Sequence, residues 1–269
     1  MKITNIKQNI NFKSGLSSNI IQKYNNTSIE KVEFILRQYN IKADFENNQT
    51  VAFSTINAIE IINNLKKKLN FLLLSIPQIG LYSKQDLIFN FQGYGFCIPE
   101  TQLVLKNKFP ALTGSIFYEK EERIEALNSK LDMSFINKER SSSHFLSPFI
   151  HEIMHNIYLN YIYSKYGYEG NCPYTKKKYY RRNDKNLGLQ MMKKLTNLSF
   201  DNKENLLIND VLGRYSTIKT NQYHEVFSET FTKIICDSLK GIDIVKNPID
   251  ILKNMPVEFR KIIAKIISK

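Results

Sequence analysis

One stretch constrains the fold more than any other. From Ser147 to Gly167, apolar side chains recur at Ile150, Ile153, Met154, Ile157, Tyr158, Tyr161 and Ile162, mostly three or four residues apart. That spacing gathers them on one side of a helix, so it predicts a long helix with a broad buried stripe. Ser147 is placed to cap it, Pro148 suits its first position because no N–H is lost there, and Gly167 is a natural stop. Within this helix the run His151-Glu152-Ile153-Met154-His155 stacks two imidazoles on one face, one turn apart.

Two nitrogens so placed suit one Zn²⁺ ion per chain, at roughly 2.0–2.1 Å each. Zinc lowers the pKa of a coordinated water to about 7, and Glu152, next to the first ligand, is positioned to take the proton of that water and return one to a leaving amine. The chain has 4 histidines in 269 residues, so a chance His-Glu-x-x-His on an apolar-striped helix is improbable. A catalytic zinc site takes three protein ligands plus an open position. The third comes from a predicted downstream helix, after Asn221 and up to Gly241, which carries His224-Glu225-Val226-Phe227-Ser228-Glu229. Glu225 and Glu229 share a face that borders the apolar residues Val226, Phe227, Phe231, Ile234 and Ile235. Carboxylates at the edge of a buried stripe need partners. A metal and its histidines supply them, with Glu225 as ligand and Glu229 holding a ligand imidazole in orientation. Two solvent-facing acids on an amphipathic helix are the competing reading. Asp237 and His224 are weaker ligand candidates, and His144 falls in a polar loop with no assigned role.

Elsewhere, residues 1–28 are polar and read as a loose arm, with Ser28 as a cap for a helix from Ile29 to about Tyr39. A second helix is predicted from about Ile56 to Leu73. Between 79 and 119 the short runs Leu87–Phe91, Leu103–Leu105 and Ser115–Tyr118, punctuated by Gly and Pro, predict strands of a small sheet. Glu119–Leu131 reads as a surface helix or loop, Ser141–Ser143 as a polar linker, and 256–267 as a last amphipathic helix. The expected fold class is α+β: a small mixed sheet packed on the active-site helix, mostly helical elsewhere. The expected division is a helical part at 1–75, which could serve targeting or substrate binding, and a catalytic domain at 76–269.

The two motifs together resemble the zincin clan with a glutamate third ligand. Within it the likeness is to the anthrax lethal-factor catalytic domain and related bacterial toxin, effector and phage-encoded peptidases. Glu225 to Phe231 is similar to that family's Glu-aromatic-aromatic-small-Glu-small-Phe segment, with Val226 in place of one aromatic. The resemblance spans roughly residues 85–240 and implies a zincin-like fold. It also implies that Tyr215, ten residues before Glu225, donates a hydrogen bond to the developing oxyanion. It further implies a sheet edge that holds extended peptide, for which Ser115, Ile116, Phe117 and Tyr118 are the candidate strand. His155 and Glu225 stand 70 residues apart, which implies an insertion around 168–205.

The net charge of +13 is spread along the chain except at Lys176–Arg182, where two tyrosines sit between three lysines and two arginines. A nucleic-acid partner is disfavoured, because it leaves both metal motifs unexplained. A zinc-stabilised binding module without turnover would leave Glu152 idle. The three cysteines form no Cys-x-x-Cys pair, which argues against a disulfide framework. No apolar run reaches a membrane-spanning length, and residues 1–20 lack a secretory signal's apolar core. The expected setting is the cytoplasm, or delivery into a host cell by a route that needs no signal. The expected partner is a protein or peptide substrate.

Overall fold

Ser28 starts the first helix of the computed structural model: its hydroxyl accepts from the Lys31 amide at 3.4 Å, and α1 runs Ile29–Gln38. The structure describes residues 27–69, 76–120 except 92, 100, 107 and 108, 124–166, 170–171, 178–179, 212–216 and 223–239. Helix α1 buries Val32 and Leu36 and ends where Asn40 takes a positive φ of 60°, a conformation asparagine tolerates. Strand β1 (Lys42–Ala43) follows, and then helix α2 (Gln49–Leu69). Helix α2 begins seven residues earlier than its apolar spacing predicts. Asn48 Oδ1 accepts from the Val51 amide at 3.0 Å and so caps it. The first turns carry Ser54, Thr55 and Asn57, polar residues that are nonetheless fully buried.

The sheet is mixed, in the order β1-β2-β4-β3. Strand β2 (Gln78–Tyr82) lies parallel to β1 and to β4 (Ile116–Glu119), and β3 (Gly95–Cys97) closes the order antiparallel to β4. Gly95 is required by close approach: a Cβ there would sit 2.7 Å from the Tyr118 ring and 2.9 Å from the Phe117 carbonyl oxygen. The runs expected as strands at Leu87–Phe91 and Leu103–Leu105 reduce to an isolated Leu87–Leu105 bridge. Leu87, Val104 and Leu105 pack with Tyr82, Ile98 and Phe117 in a small second core beneath that loop.

Helix α3 (Ile124–Ile136) answers the charged stretch, while Glu119 belongs to β4. Helix α4 (Ser147–Tyr166) then runs between α2, α5 (Tyr223–Leu239) and β3. Every residue from Ser147 to Leu159 is buried, so α4 is a central helix and not a surface one with a single apolar stripe. Its start differs from the predicted cap: the Ser147 hydroxyl bonds the Ser142 carbonyl, and the first helical bond runs from Ile150 to the Leu146 carbonyl. Two-residue strands β5 (Gly170–Asn171) and β6 (Lys178–Tyr179) pair antiparallel.

The expected boundary at residue 75 does not follow the core. Val32 and Leu36 from α1 and Ile56, Ile59 and Ile62 from α2 share one hydrophobic cluster with α4 and α5, and β1 is a strand of the same sheet. Cys97 and Cys236 are buried and take part in no disulfide. Among the described residues no helix is long and apolar enough to cross a membrane. The arm before residue 27, most of the basic run 176–182 and the helix expected at 256–267 lie outside the described residues.

Candidate metal centre

Packing α4 against α5 buries three donor groups at one point. His151 Nε2 and His155 Nε2 are 2.9 Å apart, and Glu225 Oε2 lies 3.2 Å from the first and 3.3 Å from the second. The imidazole planes cross at 88°, with ring centroids 4.5 Å apart. Donors at the corners of a tetrahedron with bonds of 2.0–2.1 Å are about 3.3 Å apart, so the triangle has the size a small divalent ion demands. His151, His155 and Glu225 are therefore a buried cluster that could hold a metal ion, and their two-nitrogen, one-oxygen chemistry fits zinc among others. Glu225 reaches the cluster from the first turn of α5.

Around this triangle sits a polar shell. Glu229, one turn beyond Glu225, brings Oε1 to 3.1 Å from His151 Nδ1. The carboxylate thus pairs with the imidazole on its side away from the cluster. The other Glu229 oxygen accepts from the Ser141 amide at 3.1 Å and from the Ser141 hydroxyl, and Arg140 Nη1 stands 3.8 Å from Oε1. On the second histidine, Nδ1 is 2.8 Å from the Ser228 hydroxyl, which settles which nitrogen faces the cluster.

The electrostatics point the same way. Burial would depress the His151 pKa, yet Glu225 and Glu229 outweigh it and push it up to about 10. Burial alone would raise the Glu229 pKa, and His151 with Arg140 and Ser141 holds it below the usual carboxylate range. A buried pocket that binds a proton this firmly is an attractive place for a cation.

Tyr215 occupies a short 3₁₀ turn, Arg214–Ser216, docked on the loop after α3. Its amide donates to the Glu139 carbonyl at 2.9 Å, and the Arg214 amide donates to that of Lys138 at 2.8 Å. The partly buried Arg140 guanidinium carbon lies over the Tyr215 ring, 4.7 Å from its centre, and over that of Tyr94 at 4.9 Å, cation–π contacts that help hold the tyrosine. The Tyr215 ring is 6.0 Å from that of His151. Burial, and next Glu225, raise its phenol well above the usual tyrosine value, so it stays protonated and able to donate. Tyr215 lines one cavity of about 160 Å³ together with Glu152, His155 and Glu225. Phe89, Phe91 and Phe96 form its aromatic wall, with rings 5.2–6.3 Å apart and edge-to-face.

No family model, curated protein or solved structure matches this chain. The site therefore stands on its own geometry.

Of the residues expected from the sequence, His151, Glu152, His155, Tyr215, Glu225 and Glu229 are brought together. The expected peptide-binding strand is not at an edge. Ile116, Phe117 and Tyr118 belong to β4, which is hydrogen-bonded to β2 on one side and β3 on the other, and the backbone of Ser115 is taken up by Ile98 and Leu112. With both sides paired, β4 has no main-chain groups to offer a peptide. The edges are β1 and β3; β3 is the one that packs on α4, and among the described residues its outer side carries no strand. Asp237 pairs with Lys233 at 2.8 Å, away from the cluster. His144 is buried and accepts the Leu146 amide through Nδ1 at the start of α4. The His224 side chain lies outside the described residues. Arg140, Ser141 and Ser228 were not singled out by their sequence; Ser141 alone carried a signal, a serine run that ends as buried hydrogen bonding and not as an exposed linker.

Proposed function

We propose that the chain is a zinc-dependent endopeptidase. The observation that carries this reading is the buried triangle of His151, His155 and Glu225 donors with Glu152 in the cavity beside it. Zinc held there would polarise a peptide carbonyl and make water a better nucleophile near neutral pH. Glu152 takes the proton of the attacking water and delivers it to the amine as the C–N bond breaks. Tyr215, kept protonated, donates a hydrogen bond to the carbonyl oxygen as negative charge grows on it. Glu229 and Ser228 hold the two imidazoles from behind. The outer side of β3, which carries no strand among the described residues, could offer main-chain groups to an extended peptide, and the aromatic wall one large apolar subsite. The two motifs, taken with the zincin resemblance, extend the proposal to a lethal-factor-like enzyme acting on proteins of a host cell.

The test compares the native chain with Glu152→Gln, which keeps the shape of the side chain and removes its basicity. Elemental analysis should find about one zinc per chain in both, the count for one three-ligand site. Cleavage of a peptide library should fall about 10²- to 10⁴-fold in the variant, the usual worth of a general base. Zinc in both with no cleavage by either would make the site a metal-stabilised binding module instead.

A further inference from the structure

Next to the cavity that holds the metal ligands lies a larger cleft of about 870 Å³. Phe91 and Tyr215 form walls of both. The two differ in character. The smaller one is aromatic, whereas the larger is lined by Lys84, Lys130, Arg140 and Arg214 against two acids, Glu119 and Glu139. Lys84 is engaged by Glu119 at 3.0 Å, and the partly buried Arg140 faces Glu229 at 3.8 Å. Lys84, Lys130 and Arg214 are all exposed to the cleft; Lys130 Nζ stands 5.8 Å from the centre of the Tyr94 ring, and Arg214 donates to the Asn137 carbonyl at 3.1 Å.

Strand β3 and its lead-in connect the two. Gly93 and Tyr94 line the cationic cleft, and the next three residues, Gly95, Phe96 and Cys97, line the cavity with Glu152 and Glu225. Successive residues of an extended chain advance about 3.3 Å. A peptide laid along β3 therefore passes from an aromatic site, past the metal ligands, to a cationic one within a few residues.

We propose that the cleft around Lys130 and Arg214 binds an acidic side chain of the peptide substrate, a few residues from the scissile bond. In calling that ligand a substrate the inference rests on the peptidase reading. It adds the class of peptide: an aromatic or large apolar residue on one side and Asp or Glu on the other. Attraction here is electrostatic and partly exposed to solvent, so it weakens with salt.

Two measurements separate this inference from the peptidase reading. The first is binding of a fluorescein-labelled dodecapeptide with Glu at alternate positions, against its Gln counterpart, to the full-length Glu152→Gln protein loaded with zinc. The Glu peptide should bind about tenfold more tightly at low salt, the difference should shrink at high salt, and Lys130→Glu with Arg214→Glu should abolish it. Lys130→Glu alone, on an exposed helix position, should remove about half of the preference on a logarithmic scale. The second is the cleavage profile of a peptide library with the native enzyme, which should be enriched in Asp or Glu at one or two fixed positions. Cleavage without that enrichment, or equal binding of the two peptides, would overturn the inference and leave the peptidase reading intact. A Glu preference that depends on Lys130 with no library cleavage would overturn the peptidase reading alone. Tighter binding of a single-stranded oligonucleotide, lost in the same variants, would make the cleft a nucleic-acid site and sink the acidic-peptide assignment.

Discussion

Glu229 Oε1 lies 3.1 Å from Nδ1 of His151, on the side of the imidazole opposite the nitrogen that meets His155 and Glu225. The carboxylate thus addresses the ring from behind while Ser141 and Arg140 hold it in place. Such partners orient a ligand and raise its basicity, and losing one costs about 10- to 100-fold in metal affinity. Glu229→Gln should weaken zinc binding by that amount, measured by competition with a chromophoric chelator. Glu225→Ala, which removes a donor of the triangle, should lose the metal outright. Equal affinities for native and Glu229→Gln proteins would reduce Glu229 to a packing role.

The same pair sets a pH dependence. His151 is held up to about 10, above its ordinary 6.5, when no metal competes. A raised pKa stabilises the metal-free fold fully below the unfolded value, and that contribution disappears as pH rises through about 10. Metal binding needs the neutral imidazole, so between these limits each ion must displace about one proton from His151. Apparent affinity should therefore rise by about tenfold per pH unit across the neutral range. Calorimetry in buffers of different ionisation enthalpy should count close to one proton released per metal. A flat affinity profile would show that His151 is already neutral.

How much of this site could be read from the chain depends on how locally each part is encoded. His151 and His155 are one helical turn apart, so their convergence follows from spacing alone. Glu225 and Glu229 were legible because acids beside an apolar stripe demand partners. Arg140 and Ser141 were not, since their role exists only where a loop meets α5, 88 residues further on in the case of Ser141. The sheet shows the same limit. Of the expected strand Ser115–Tyr118, Ile116–Tyr118 lie in β4, yet nothing in their side chains says how many neighbours the strand has. Its interior place depends on the pairing of β2 and of β3, a strand of only three residues that contains Gly95. The start of α2 is hidden in the sequence because its first turns bury Ser54, Thr55 and Asn57, which count as polar in any periodicity.

Tyr215 and Arg140 make a further pair. The guanidinium lies 4.7 Å from the centre of the tyrosine ring and also faces Glu229, so one cation touches both the tyrosine and the histidine's partner. Tyr215→Phe keeps the ring and this contact but removes the donor. It should lower kcat by about 10²- to 10³-fold, as loss of one oxyanion donor does, with little change in KM or zinc content. Arg140→Lys retains the charge without the broad guanidinium that lies over the ring, and should lower kcat and zinc affinity together. A Tyr215→Phe enzyme with native kcat would remove Tyr215 from the chemistry.

Gly213 controls whether Tyr215 arrives at all. Its φ is +86°, and a Cβ there would stand 2.7 Å from the Arg140 amide nitrogen and from the Glu139 carbonyl carbon and oxygen. These are backbone atoms of the loop on which the tyrosine turn is docked, and real Cβ atoms do not approach so closely. In Gly213→Ala, left-handed strain of about 1–3 kcal/mol should add to a forced separation of the two segments. Thermal denaturation should show a Tm lower by several degrees. The three candidate metal ligands lie on α4 and α5, so zinc content should remain at one per chain while kcat falls. If the loss acts through Tyr215, the Gly213→Ala and Tyr215→Phe effects on kcat will not add, and the double variant will be no slower than Tyr215→Phe alone. Additive losses in that cycle would place the damage elsewhere, in Arg140 and the carboxylate it faces.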